Sequence, residues 1–193
     1  MNRLLRLISI FFILICCSFI GCSAGEPIRQ SPAMTMGEYS SIAVAKFVSP
    51  EPAIGQRVAE RLAVKFAAAG YSVTRFEKLA KISGKDVLTS TALTPTDKAA
   101  LQANGIKAVL YGAIERYECQ SEQKWSWTGY APEKVSLQSC SASLSIRIVD
   151  SSTGLTVWQT NGAHSEKAPD VTARMVMERV LTKIEDEIPQ IRQ

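Results

Sequence analysis

Residues 141–149, Ser-Ala-Ser-Leu-Ser-Ile-Arg-Ile-Val, alternate polar and apolar side chains almost without a break. Successive side chains of an extended strand point to opposite faces, so Ala142, Leu144, Ile146 and Ile148 face a core while Ser141, Ser143, Ser145 and Arg147 face water. A chain with such a strand must build a sheet that buries one face, and the flanking segments say how. Asp150-Ser-Ser-Thr-Gly154 reads as a turn into Leu155–Thr160, a hairpin partner. Upstream, Ser41–Val48 is rich in branched residues and reads as a first strand. Ile54, Val58, Leu62 and Phe66 recur every four residues, which predicts an amphipathic helix stopped by Gly70. Tyr71–Phe76 follows as a second strand, and residues 80–93 carry little pattern. Thr94 as an N-cap, Pro95 at the first helical position and Gly105 past the end bound a second helix. Ile106–Cys119 is a long strand, and Pro169-Asp170 opens a last helix that turns Val171, Met175, Val180, Leu181, Ile184 and Ile188 inward. The predicted order is β-α-β-α-β-β-β-α, an α+β fold with a two-layer mixed sheet and helices on one face.

The N-terminal segment belongs to none of these elements. Arg3 and Arg6 precede a charge-free run, Leu7–Phe19, with the pattern of a secretory signal. That run is shorter than the ~20 apolar residues a spanning helix needs. The sequence Phe19-Ile20-Gly21-Cys22 resembles the lipobox of bacterial lipoproteins, with Phe19 where Leu is usual. The resemblance implies a signal peptide over residues 1–21 and an acylated Cys22, carrying palmitate-type chains, as the first residue of the mature protein. Ser23 rather than Asp follows the cysteine, which by the same resemblance implies lipid anchoring in the cell outer membrane, facing the periplasm. An ordinary cleaved signal and an uncleaved anchor are the alternatives. One acyl chain holds a protein weakly and several hold it stably, so the lipid bilayer is the first expected partner. Residues 22–40 then comprise the lipidated Cys and a flexible tether, and residues 41–193 a single α+β domain.

Removal of 21 residues from 193 leaves 172, enough to bury a core. Without Arg3 and Arg6 the mature chain has 20 basic against 18 acidic residues and no run of cations, so it carries no footprint for nucleic acid. Cys16 and Cys17 leave with the signal and Cys22 is acylated, which leaves Cys119 and Cys140. A pair in an oxidising compartment is expected to form a disulfide, two separate thiols being the alternative. The register resists the bridge. Placing Cys119 opposite Cys140 sets Glu115 opposite Leu144, whereas the apolar pattern prefers Ile114 opposite Leu144 and Leu110 opposite Ile148. A bulge near residues 116–118 or 139–141 reconciles the two.

The stretches Gly105–Tyr117 and Ser143–Gly154, with Val157-Trp158, resemble the core of a lipoprotein superfamily. Its members include the curli secretion channel, the lipoprotein activator of a penicillin-binding protein, and the N-terminal domain of the Tol-Pal translocation protein. The shared pattern is a helix ending in Gly, a strand of the form apolar-x-Gly-x-Ile-x-x-Tyr, and Asp-x-x-Thr-Gly before an apolar-Trp pair. The resemblance spans residues 41–188 and implies an envelope protein without a catalytic motif. The channel member extends two hairpins into the membrane, whereas eight residues between Thr160 and Pro169 leave no room for a second one here. The interval Gln120–Ser139 lacks sustained alternation, so a pore is not expected.

Chemistry-bearing constellations are scarce. His164 is the only histidine and reads as a loop residue near solvent, so zinc sites and imidazole triads lack partners. Glu115 and Glu118 fall on opposite faces of a strand, and Glu185-Asp186-Glu187 reads as a solvated helix face. No glycine-rich phosphate loop is present, and neither a metal, a cofactor nor enzymatic activity is expected. The aromatic patch Trp125, Trp127 and Tyr130 is the candidate partner-binding site, since such side chains dominate binding hot spots. It either projects from the domain or folds back as a lid over the sheet. The expected function is that of a membrane-tethered, non-enzymatic lipoprotein that binds an envelope protein partner in assembly, secretion or cell-wall synthesis. The alternative is an oligomeric secretion-channel accessory or structural ring subunit.

Overall fold

A computed structural model describes residues 36–83, 93–127 and 129–191 of the chain. After a 3-10 turn at Met36–Tyr39, the elements are β1 (Ser41–Val44), α1 (Pro52–Ala68), β2 (Ser72–Thr74), α2 (Phe76–Ser83), α3 (Pro95–Ala103), β3 (Ala108–Trp127), β4 (Pro132–Asp150), β5 (Thr156–Ala168) and α4 (Ala173–Asp186). The predicted α+β sheet is the observed one, with α2 as an added helix where the sequence carried little periodicity. Leu79 of α2 is buried, and residues 84–92 of the unassigned stretch lie outside the described residues.

The local signals act as their chemistry requires. In α1, Val58, Leu62 and Phe66 form the buried stripe, and Gly70 takes a φ of +98° just past its end. In α3, the Thr94 hydroxyl accepts from the Asp97 N–H while the Asp97 carboxylate accepts from the Thr94 N–H, a reciprocal cap. The last helix begins later than Pro169-Asp170, because Thr172 caps it by accepting from the Met175 N–H. That phase buries Val176, Met177, Val180, Leu181 and Ile184 and leaves Met175 exposed, against its predicted inward position.

The five strands run in the order β2-β1-β3-β4-β5, with β2, β1 and β3 parallel and β3, β4 and β5 antiparallel. The step from β1 to β2 and the step from β2 back past β1 to β3 run in opposite directions across the sheet. Right-handed crossovers then require the connecting helices to lie on opposite faces. The packing agrees. Helices α1 and α4 cover Ile42, Leu110, Leu144, Ile146 and Ile148 on one face. Helices α2 and α3 place Leu79 and Leu101 against Ala43, Val109 and Val149 on the other. Across β4 and β5 that second face stays open, where Ser143, Ser145 and Arg147 are half-buried. Helices α1 and α4 are joined by ions as well. Glu185 pairs with Arg61 and with Lys65 at 3.0 Å, and its carboxylate is nearly buried, so it belongs to the helix interface rather than to a solvated face.

The register between β3 and β4 satisfies both demands of the sequence. Leu110 faces Ile148 and Ile114 faces Leu144, then one residue, Glu115, is bulged out, and from Arg116 onward the register shifts so that Cys119 faces Cys140. The two cysteines form a disulfide. The bulge lies just before the interval 116–118 where one was expected. Cys140 is buried in the main core while Cys119 is exposed.

Two parts of the motif pattern have structural explanations. After β1 the chain stays beside β3, with Val48 N–H donating to the Gly112 carbonyl and Ile114 N–H to the Val48 carbonyl. This lays the Phe47 ring directly on Gly112, where a Cβ would sit 2.1 Å from a ring carbon. In Asp150-Ser-Ser-Thr-Gly154, the Asp150 carboxylate accepts from the backbone N–H groups of Ser152 and Thr153 and from the Tyr39 hydroxyl, and Gly154 closes the turn at a φ of +80°. Burial opposes the charge on Asp150, but hydrogen bonds from Ser152, Thr153 and Tyr39 outweigh it and hold the carboxyl below its ordinary value. Burial first, and then the bond to the Asp150 carboxylate, push the Tyr39 hydroxyl up to about 12.

Gly112→Ala must displace the buried Phe47 ring, and a loss of about 1–3 kcal/mol in stability is expected by denaturant unfolding. A loss within measurement error would show that Phe47 has free space to move.

Candidate functional site

Beyond Cys119 and Cys140 the two central strands leave the body of the sheet. Strand β5 accompanies β4 only as far as the pair Gln138–Ala168, so the outer parts of β3 and β4 continue as a two-stranded ribbon, from Glu122–Leu137 to Trp127–Pro132. The interval Gln120–Ser139, which lacks sustained alternation, is therefore mostly strand. Its side chains are wet on both faces, which erases alternation, and the cross-strand ladder alone sustains the extended shape. An isolated hairpin is marginal in water, so the disulfide at the root carries more weight here than within a packed sheet.

The chain reverses around Gly129 and Tyr130. Trp125 and Trp127, two residues apart, share one face of the ribbon and are 68% and 73% exposed, while Tyr130 at the tip is fully exposed. The rings project rather than folding back as a lid. By register they lie on the face that α1 and α4 cover further down, the face of Cys119 and Cys140. Lys134 stands opposite Trp125 with its ammonium 5.5 Å from the ring centroid, and Pro132 stands opposite Trp127. Lys134 is not among the candidates read from the sequence; its place opposite Trp125 sets it on the tryptophan face. On the opposite face, Glu122 pairs with Lys167 of β5 and lies 3.9 Å from Lys124. The hydrogen bond from Lys167 holds the Glu122 carboxyl below its ordinary value. These charges brace the root of the ribbon and leave its tip to three aromatic rings and a cation.

The other sequence candidates stand apart from this tip. Cys22 lies outside the described residues. His164 is on β5 rather than in a loop, with Nε2 3.5 Å from Nη1 of Arg179 and 3.9 Å from a Glu166 carboxylate oxygen. β5 itself runs to Ala168, eight residues past its predicted end, again along a ladder rather than an apolar pattern. Among the described residues no group of His, Cys, Asp or Glu side chains converges as a metal site, and no helix is long and apolar enough to cross a membrane. The tip can therefore bind surfaces through rigid amphipathic rings.

No protein-family model and no curated protein matches the chain. Among solved structures it is similar to PelC from Paraburkholderia phytofirmans, crystallised as a dodecamer, at 16% identity and a TM-score of 0.52 over 84% of this chain and 96% of that one. It is also similar to the lipoprotein GNA1162 from Neisseria meningitidis, at 21% identity and a TM-score of 0.49 over 76% of this chain and 98% of that one. The C-terminal domain of LpoB from Salmonella enterica matches at 13% identity and a TM-score of 0.42, over 66% and 84%. At 16% identity the likeness to PelC is one of fold.

Proposed function

We propose that the protein is a non-enzymatic lipoprotein of the bacterial envelope, tethered through acylated Cys22, whose aromatic ribbon tip binds a protein partner. The observation that carries this reading is the exposure of Trp125 and Trp127 on one face of a ribbon rooted by a disulfide. Large exposed aromatic side chains cost a folded protein solubility, and a rigid platform that presents them lowers the entropic cost of binding. The tether between Cys22 and the domain keeps that platform within reach of the membrane surface. The outer membrane, facing the periplasm, is the location that the residue after Cys22 favours.

A second reading is a ring or channel-accessory subunit, which the dodecameric state of PelC supports, because that protein shares the fold over most of both chains. In this reading the partner is another copy of the chain.

Cells grown with labelled palmitate are expected to incorporate label into the wild-type protein and not into Cys22→Ser, which then leaves the membrane fraction; equal labelling of both overturns the anchor. For the tip, the Trp125→Ala/Trp127→Ala double variant is expected to lose about tenfold or more in recovery of crosslinked partner from native membranes, the scale of a single strong hot spot. Unchanged recovery sinks the aromatic site, and light scattering that finds a large defined ring moves the assignment to the second reading.

A further inference from the structure

The sheet face left open by α2 and α3 forms a groove of about 670 Å³ over β3, β4 and β5, within the range of small-ligand sites. Its floor and walls include Lys46, Tyr111, Ser145, Arg147, Gln159 and Asn161. Three observations set it apart from an ordinary wet sheet face. Lys46 and Arg147 form no ion pair with a carboxylate among the described residues, although both are half-buried. The Arg147 guanidinium is held 5.7 Å from the centroid of the Tyr111 ring, which limits its freedom before any ligand arrives. Tyr111 is 7% exposed, and its hydroxyl has no hydrogen-bond partner among the described residues. The one carboxylate at the rim, Glu187, is engaged by the Thr160 hydroxyl.

We infer that this groove binds an acidic glycan, a hydroxyl-rich chain carrying carboxylates. The guanidinium fork of Arg147 matches a carboxylate in two-point geometry, and the Lys46 ammonium adds a point charge. The amides of Gln159 and Asn161 each offer a donor and an acceptor, which suits vicinal hydroxyls, and the Ser145 hydroxyl can do either. An apolar ligand would leave these groups and two cations desolvated without partners, which is costly. By register the groove lies on the sheet face opposite Trp125 and Trp127, so it is independent of the partner-binding tip.

Calorimetric titration of the purified full-length chain in detergent tests the inference with three tetramers. These are tetragalacturonate, neutral maltotetraose, and tetraglutamate with the same number of side-chain carboxylates. Saturable binding of tetragalacturonate is expected, weakened by added salt and by about tenfold in Lys46→Ala or Arg147→Ala. Because Arg147 also covers Tyr111, Gln159→Ala supplies a variant that leaves this contact in place, and it too should weaken binding. The Trp125→Ala/Trp127→Ala variant should bind as the wild type does, which separates failure of this site from failure of the tip. The inference is overturned by absence of tetragalacturonate binding, by binding indifferent to Lys46 and Arg147, or by equal affinity for tetraglutamate, which would define a plain anion site.

Discussion

Strand β3 is bonded to the parallel half of the sheet through β1 and to the antiparallel half through β4, and its register with β4 must satisfy two demands at once. The apolar residues up to Ile114 have to face the core under α1 and α4. The cysteine five residues further on has to meet Cys140 on that same face. Strict two-residue alternation cannot deliver both, since Ile114 and Cys119 differ by an odd number. Bulging Glu115 out of the ladder inserts the missing residue, and everything beyond it follows: the partly buried Tyr117, the disulfide, and the face on which Trp125 and Trp127 emerge. One extra residue in one strand thus couples the core to the ribbon tip.

The body of the sheet is organised by a second constraint, the handedness of its crossovers. Because β1 sits between β2 and β3, the connections must lie on opposite faces. Helix α1 buries the face that α4 also covers, while α2 and α3 shield only the parallel end of the other. The half-covered second face is a direct result. It leaves Arg147, Ser145, Gln159 and Asn161 on an accessible floor beside Tyr111. The protein therefore presents two unlike surfaces, an exposed aromatic tip and a polar, cationic groove.

Several features that look chemical in the sequence are structural once folded. Asp150 organises the turn that ends β4 and receives the Tyr39 hydroxyl. Gly112 is small because Phe47 lies on it. Glu185 bridges α1 and α4 through Arg61 and Lys65. The strand-turn pattern of Gly112 and Asp150–Gly154 thus records packing and turn geometry. The aromatic candidates Trp125, Trp127 and Tyr130 lie in the ribbon, exposed to solvent.

Much of the fold was legible in the sequence, because burial writes a period into a chain. The alternation of residues 141–149, the four-residue spacing from Val58 to Phe66, and the Thr94 cap each reflect contacts made locally or against one face, and each is where periodicity placed it. The aromatic patch and the two cysteines were legible as residue types. Tertiary structure alone decided the rest. The outer halves of β3 and β4 and the far end of β5 are strands because a neighbouring backbone bonds to them, and a strand wet on both faces leaves no period to read. Which residue bulged, which faces the helices took, and which charges met across α1 and α4 depend on pairings between distant segments, and residue periodicity carries no information about those.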